Sequence, residues 1–209
     1  LNFTNAGTLR RTTSAGTVYI SCAFTNTGTV AVQTGTLYFG ANSTQTAGLT
    51  ELTGGALSFS TLNLLGGSLT GAGTISGNIV NSGGVVAPGG DQTGVLTLTG
   101  TYTQGAGGSL SLQLGGTLAG TGFDRLAISG NATLNGTLSY VLLNGYTPPA
   151  GASYAVLSFA SRTGNFATYS GSAATSGFLF GPQVSNQGIT LIVGSSLAIT
   201  SQPLAQTTN

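Results

Sequence analysis

Glycine recurs every few residues through residues 64–90, LLGGSLTGAGTISGNIVNSGGVVAPGG, with Leu, Ile and Val between the glycines and no charged residue anywhere in the stretch. Such punctuation forbids long helices, because each interior glycine costs a helix about 1 kcal/mol relative to alanine. What it permits is a series of short strands whose corners are turned by residues free to take positive φ. The same unit, a polar residue or Gly, then Gly, then a small residue, then an aliphatic, recurs as NAGTL at 5–9, NTGTV at 26–30, QTGTL at 33–37, GGAL at 54–57 and GAGTI at 71–75. Each copy reads as a turn followed by a strand start, with the β-branched or aliphatic residue returning the chain to extended geometry.

Within the strands, alternation has period two: Leu57 and Phe59, then Leu62 and Leu64, face one side while Ser, Thr or Asn face the other. FTNAGTL at 3–9 returns as FTNTGTV at 24–30, an offset of 21 residues. A coil of about 20 residues is a common repeat length for stacked strands, so the first hundred residues are expected to hold about five coils. The pattern is already under way at Phe3, and residue 1 is expected to fall inside a longer repeat. The predicted fold is therefore all-β, a right-handed parallel β-helix, or solenoid, with antiparallel capping strands toward the C-terminus.

The sequence divides into coils at 1–100, terminal coils and an antiparallel cap at 101–194, and a linker or extended strand at 195–209. Past Gly100 the parallel coils are expected to give way to antiparallel strands, with a hairpin over 184–193 that turns at Asn186–Gly188 and a small-residue loop at 168–177. The tail SSLAITSQPLAQTTN carries no charge. Its Leu197, Ile199, Pro203 and Leu204 are the candidate self-assembly strand, expected to pair with the open edge of a neighbouring copy.

Charge excludes several function classes. Four arginines (Arg10, Arg11, Arg125, Arg162) and three acids (Glu51, Asp91, Asp124) are all that ionise strongly in 209 residues. Nucleic acid and anionic lipid need clustered cations, which are missing. Without His or Lys there is no Ser-His-Asp or Ser-Lys nucleophile, and a zinc centre lacks its ligands. A glycosidase needs two carboxylates about 5–10 Å apart, whereas the three acids are scattered. Glu51 and Asp91 are expected to serve structure, and Asp124 to cap a turn after Gly122. No apolar run is long enough to span a bilayer as a helix. The single Cys22 is expected to be a small buried hydrophobe.

GSLTGAGTISGNIVNSGGVVAPGG, GVLTLTGTYTQGAGGSLSLQLGG, FDRLAISGNATLNGTLSYVLLNGYTPPAG and YAVLSFASRTGNF, together about half of the chain, resemble the C-terminal part of bacterial autotransporter-like passengers and related large secreted β-helical surface proteins. The resemblance implies that the turn at Pro88, the strand at Tyr102 and residues 124–130 close a parallel β-helix as a C-terminal folding module. ITSQPLAQTTN is similar to the opening of bacterial immunoglobulin-like domains that follow such helices. The expected function is a non-enzymatic, cofactor-free stalk, fibre subunit or adhesin segment, extracellular or on the bacterial surface. Its expected partners are copies of itself or adjoining domains, with no nucleic acid and no membrane insertion. The alternatives are a carbohydrate-binding adhesin, with Tyr140, Tyr146 and Tyr154 as candidate glycan contacts, and a carbohydrate-active β-helix enzyme.

Overall fold

The computed structural model describes residues 1–171 and 180–194, and these are all-β. The chain runs in circuits. The first is β1 (Asn2–Asn5), β2 (Thr8–Arg11) and β3 (Thr17–Ile20), and the second is β4 (Ala23–Asn26), β5 (Thr29–Val32) and β6 (Thr36–Phe39). β7 (Ser43–Gln45) leads into two long strands, β8 (Leu49–Leu64) and β9 (Ser68–Asn81), each of which covers a whole circuit. Then come β10 (Val85–Pro88), β11 (Val95–Thr99), β12 (Tyr102–Gln104), β13 (Ser109–Leu114), β14 (Arg125–Ile128) and β15 (Asn131–Leu134). The last are β16 (Thr137–Leu142), β17 (Ser153–Ser158), β18 (Ser161–Gly164), β19 (Thr168–Gly171), β20 (Phe180–Val184) and β21 (Gly188–Val193).

Pairing sorts these strands into three parallel ladders that the chain visits in fixed rotation. The first ladder joins β1, β4, β7, the ends of β8 and β9, then β12, β15 and β18. The second joins β2, β5, the starts of β8 and β9, then β10, β13, β16 and β19. The third joins β3, β6, the middles of β8 and β9, then β11, β14 and β17. In-register partners carry the same kind of side chain inward. Val30, Leu69, Val86, Leu110 and Leu138 form one row, interrupted by the buried Thr50, and Leu37, Leu57, Ile75, Leu98 and Ile128 another, the apolar members all within one continuous core. Each fully buried aliphatic contributes about 1.5–3 kcal/mol, so the period-two alternation decides which face points in.

Beside the apolar rows runs a buried amide row at the corner between the first and second ladders. Asn5, Asn26 and Gln45 are in register, as are Asn81 and Gln104. Asn5 donates to the Asn26 Oδ1 at 2.8 Å, Asn26 to the Gln45 Oε1 at 3.3 Å, and Tyr102 to the Gln104 Oε1 at 2.6 Å. The Gln104 amide also donates to the carbonyls of Gly108, Asn135 and Thr137 at 2.9–3.0 Å, closing the corner below it. Buried polar groups are tolerated because they are satisfied this way. Burial raises the Tyr102 pKa well above its ordinary value, against a smaller lowering by Asn81, so the phenol stays neutral.

Glycine makes the tightest corners possible. At Gly71 φ is +99°, and a methyl there would land on the Leu52 carbonyl oxygen of the preceding circuit. Gly77, at φ +131°, meets the Phe59 carbonyl oxygen in the same way. β9 can therefore turn two corners while its neighbours stay one strand spacing away.

Three expectations need correction. Parallel pairing does not give way after Gly100. It continues to β19, because the inward rows continue through Leu110, Leu138 and Tyr169. Among the described strands, antiparallel pairing joins β21 to β17 and β20 to β21, where the turn closes through the Ser185 N–H on the Gly188 carbonyl at 2.9 Å, and a single antiparallel bridge, Leu114 to Phe123, lies outside the strand ladders. Thr168–Gly171, expected in a loop, is a strand pairing with β16. Cys22 is free and only partly buried, just before β4.

Candidate functional site

The three corners of a circuit are unequal. Chain passing from the first ladder to the second, or from the third back to the first, needs only two to four residues between strands wherever the strands are separate. The corner from the second ladder to the third is instead uneven: it has five residues, 12–16, between β2 and β3 and three, 33–35, between β5 and β6, and it becomes long beyond β9. It takes residues 89–94 between β10 and β11, residues 115–124 between β13 and β14, and residues 143–152 between β16 and β17. These three loops belong to consecutive circuits, so ladder stacking brings them together although they are about 30 residues apart in sequence. Loops carried on a rigid scaffold are the ordinary location of binding residues.

Asp124 ties the first two loops. Its Oδ1 accepts the Gly94 N–H and its Oδ2 accepts the Gln113 N–H, both at 2.8 Å. The expected local cap after Gly122 is therefore not what this carboxyl does. Fully buried, it binds the backbone of the preceding circuit at Gly94 and of the strand that enters its own loop at Gln113. Burial pushes its pKa up to about 7, opposed by the two backbone N–H groups. The Gln113 amide adds a bond to the Gly90 carbonyl at 2.8 Å. The third loop begins with a tight turn: Asn144 and Gly145 have φ of +49° and +70°, and the Tyr146 N–H donates to the Leu143 carbonyl at 2.8 Å. Positive φ at both central residues is what Asn-Gly supplies.

Between the three loops lies a partly open pocket of about 290 Å³, lined by Gln92 and Thr93, Thr121, and Leu143, Asn144 and Tyr146. The Tyr146 hydroxyl is 2.9 Å from that of Tyr154. Tyr154 itself is fully buried, edge-on to Phe123 at 5.4 Å, and burial followed by the Tyr146 contact raises its pKa. Tyr140 occupies an inward position, in register with Leu112, with its ring against Phe180 at 4.9 Å. Of the three candidate glycan tyrosines, then, Tyr146 alone lines the pocket. Tyr154 and Tyr140 face the core because each falls on the inward phase of its strand. The candidate self-assembly strand of Leu197, Ile199, Pro203 and Leu204 lies outside the described residues.

Glu51 lies on β8, half-buried, in register between Ala31 and Thr70, and Asp91 is exposed at the start of the expanded corner. With both Asp124 oxygens occupied by backbone, the acids offer no free pair that includes it. Among the described residues no group of three or more His, Cys, Asp or Glu stands close enough to hold a metal ion. Arg162 folds back to bind the Ser185 carbonyl at 2.8 Å and Asn165 Oδ1 at 2.7 Å, tying β18 to the final hairpin. Gln92, Thr93, Thr121 and Asn144 escaped the sequence reading. Their signal was the lengthening gaps between strand patterns at one corner.

The class of protein these features define is an all-β chain of stacked parallel strands with loops enlarged at a single corner. No family model matches it. Over 63 residues, 29% of the chain, it is 43% identical to the Adhesin BmaC autotransporter of Brucella suis biovar 1 (strain 1330), and the match spans 2% of that protein's length. The match supports an autotransporter-like relationship for that part of the chain.

Proposed function

We propose that this chain is a right-handed parallel β-helix segment of a bacterial surface or secreted protein, acting without catalysis as a stalk or adhesin segment. The observation that carries this reading is the unbroken rotation among three parallel ladders from β1 to β19 around one apolar core. A rod of this kind draws stiffness from backbone bonds repeated at every circuit and needs no cofactor. Similarity to a protein named as an adhesin supports a place at the cell surface. The engagement of both Asp124 oxygens supports the non-enzymatic side, since it removes one of only three carboxylates from chemistry. Partners on this reading are adjoining domains, further copies of the chain, and surface glycans.

The test is surface exposure and attachment. Antibody raised to the purified chain should label intact cells of the source organism, and beads coated with the chain should bind host cells above uncoated beads. Labelling only after lysis, with no bead attachment, would sink the reading.

A further inference from the structure

We infer that the expanded corner is a binding site for one neutral pyranose residue, stacked on Tyr146 and held by Gln92, Asn144, Thr93 and Thr121. This rests on the adhesin reading and deepens it by naming the ligand class. Four observations converge. Among the described residues the long insertions all fall at one corner, and they occur there in consecutive circuits. Insertions that recur on one face of a stacked array commonly mark its binding face. The loops are also held in place by buried bonds rather than left to solvent: Asp124 to Gly94 and Gln113, Gln113 to Gly90, and Gly151 N–H to the Val193 carbonyl at 3.0 Å. Preorganisation of this kind lowers the ordering cost of binding a small ligand.

Chemistry selects the class. Two primary amides and two hydroxyls both donate and accept, which suits a molecule whose rim is alternating hydroxyl groups. Tyr146 adds a flat apolar face with its edge anchored on Tyr154, matching the axial C–H face of a sugar ring. No Arg, Asp or Glu lines the pocket. Phosphate, sulfate and sialic acid would enter without a counter-charge. The volume of about 290 Å³ sits at the lower edge of small-ligand pockets, which begin near 300 Å³. That room suits a single sugar unit, with the rest of a glycan leaving through the open side.

A second exposed aromatic feature supplies the internal control. Tyr19 and Tyr38 meet at a tilt, ring centres 5.2 Å apart, on the outer face of β3 and β6, in the early circuits and away from the loops of the pocket. The test is a titration of the folded chain with methyl glycosides of glucose, galactose, mannose and N-acetylglucosamine, followed by saturation-transfer NMR, with sialyllactose as the anionic probe. At least one neutral glycoside should bind with a dissociation constant of the order of 1 mM, as expected for a single small ring. Tyr146→Ala and the exposed Gln92→Ala should each weaken it about tenfold or more, and Tyr38→Ala should leave it unchanged. Because Gln92 is exposed and its amide bonds the carbonyl of the exposed Asp91, its variant keeps the test valid if Tyr146→Ala folds poorly. Absence of binding by all four neutral glycosides, a preference for sialyllactose, or a loss of binding confined to Tyr38→Ala would overturn the assignment. Bead attachment to cells that persists without any glycoside binding would overturn this site alone and leave the adhesin reading standing.

Discussion

The early and late circuits share the same three ladders but differ in what lies between the strands. From β8 to β9 one passage along the first ladder takes 17 residues, Leu62 to Ile79. From β12 to β15 it takes 30, Tyr102 to Ala132. Inward positions keep the same pattern in both places, apolar rows beside a buried amide at Asn81 or Gln104, so the extra residues change the rim and not the core. The difference teaches that a stacked scaffold accepts long insertions wherever the strands on either side keep their register, since loop closure grows only logarithmically with length. In the early circuits glycine enforces closeness at the corner. In the late circuits a buried carboxyl and a glutamine hold a loop open.

The largest effect should come from attacking the tight corner. Gly71→Ala combines φ of +99° with a clash on the Leu52 carbonyl oxygen, and the expected loss is about 3 kcal/mol or more by denaturant unfolding. A small loss would show that the circuits relax more readily than close stacking implies.

The expanded corner should report through pH. With its folded pKa raised to about 7 above an unfolded value near 3.9, Asp124 takes up a proton on folding between those limits. Its contribution is fully present below the unfolded value and is lost as pH rises through about 7. Melting temperature should therefore be higher near pH 5 than near pH 8, by a difference equivalent to roughly 2–4 kcal/mol, and Asp124→Asn should flatten the profile. A profile that rises with pH would reverse the assignment.

Gln104 sits where the circuits begin to lengthen. Gln104→Ala strands the Tyr102 hydroxyl and the carbonyls of Asn135 and Thr137, for an expected loss of about 2 kcal/mol. The smallest effect should come from Gly145→Ala, where φ is +70° and a methyl meets nothing within 4 Å. Backbone preference alone predicts about 1 kcal/mol. The gap between Gly71 and Gly145 separates a crowded corner from an open one.

Much of this was legible beforehand. The strand alternation, the glycine corners and the hairpin at β20 and β21 are local properties, carried by neighbouring residues and by φ preferences. The amide row was partly legible too, since Asn or Gln stands just ahead of a glycine turn in FTNAGT, FTNTGT, VNSGG and YTQGAGG. What escaped was inward against outward phase at the tyrosines. Tyr140 follows a Ser and precedes a Val, so alternation by residue type does not decide its face, and only its register with Leu112 turns it inward. Asp124 misled for a related reason: a turn aspartate looks local, and its partners are 11 and 30 residues away.

By itself the sequence determined that the chain would be all-β, nearly uncharged and built from short strands with glycine corners, because those outcomes follow from backbone sterics and period-two alternation. The tertiary structure alone decided which loops would meet, which tyrosine would face the pocket and which carboxyl would be buried. Those outcomes depend on stacking of segments 20–30 residues apart at a spacing of about 4.8 Å, a distance relation that no local stretch of residues encodes.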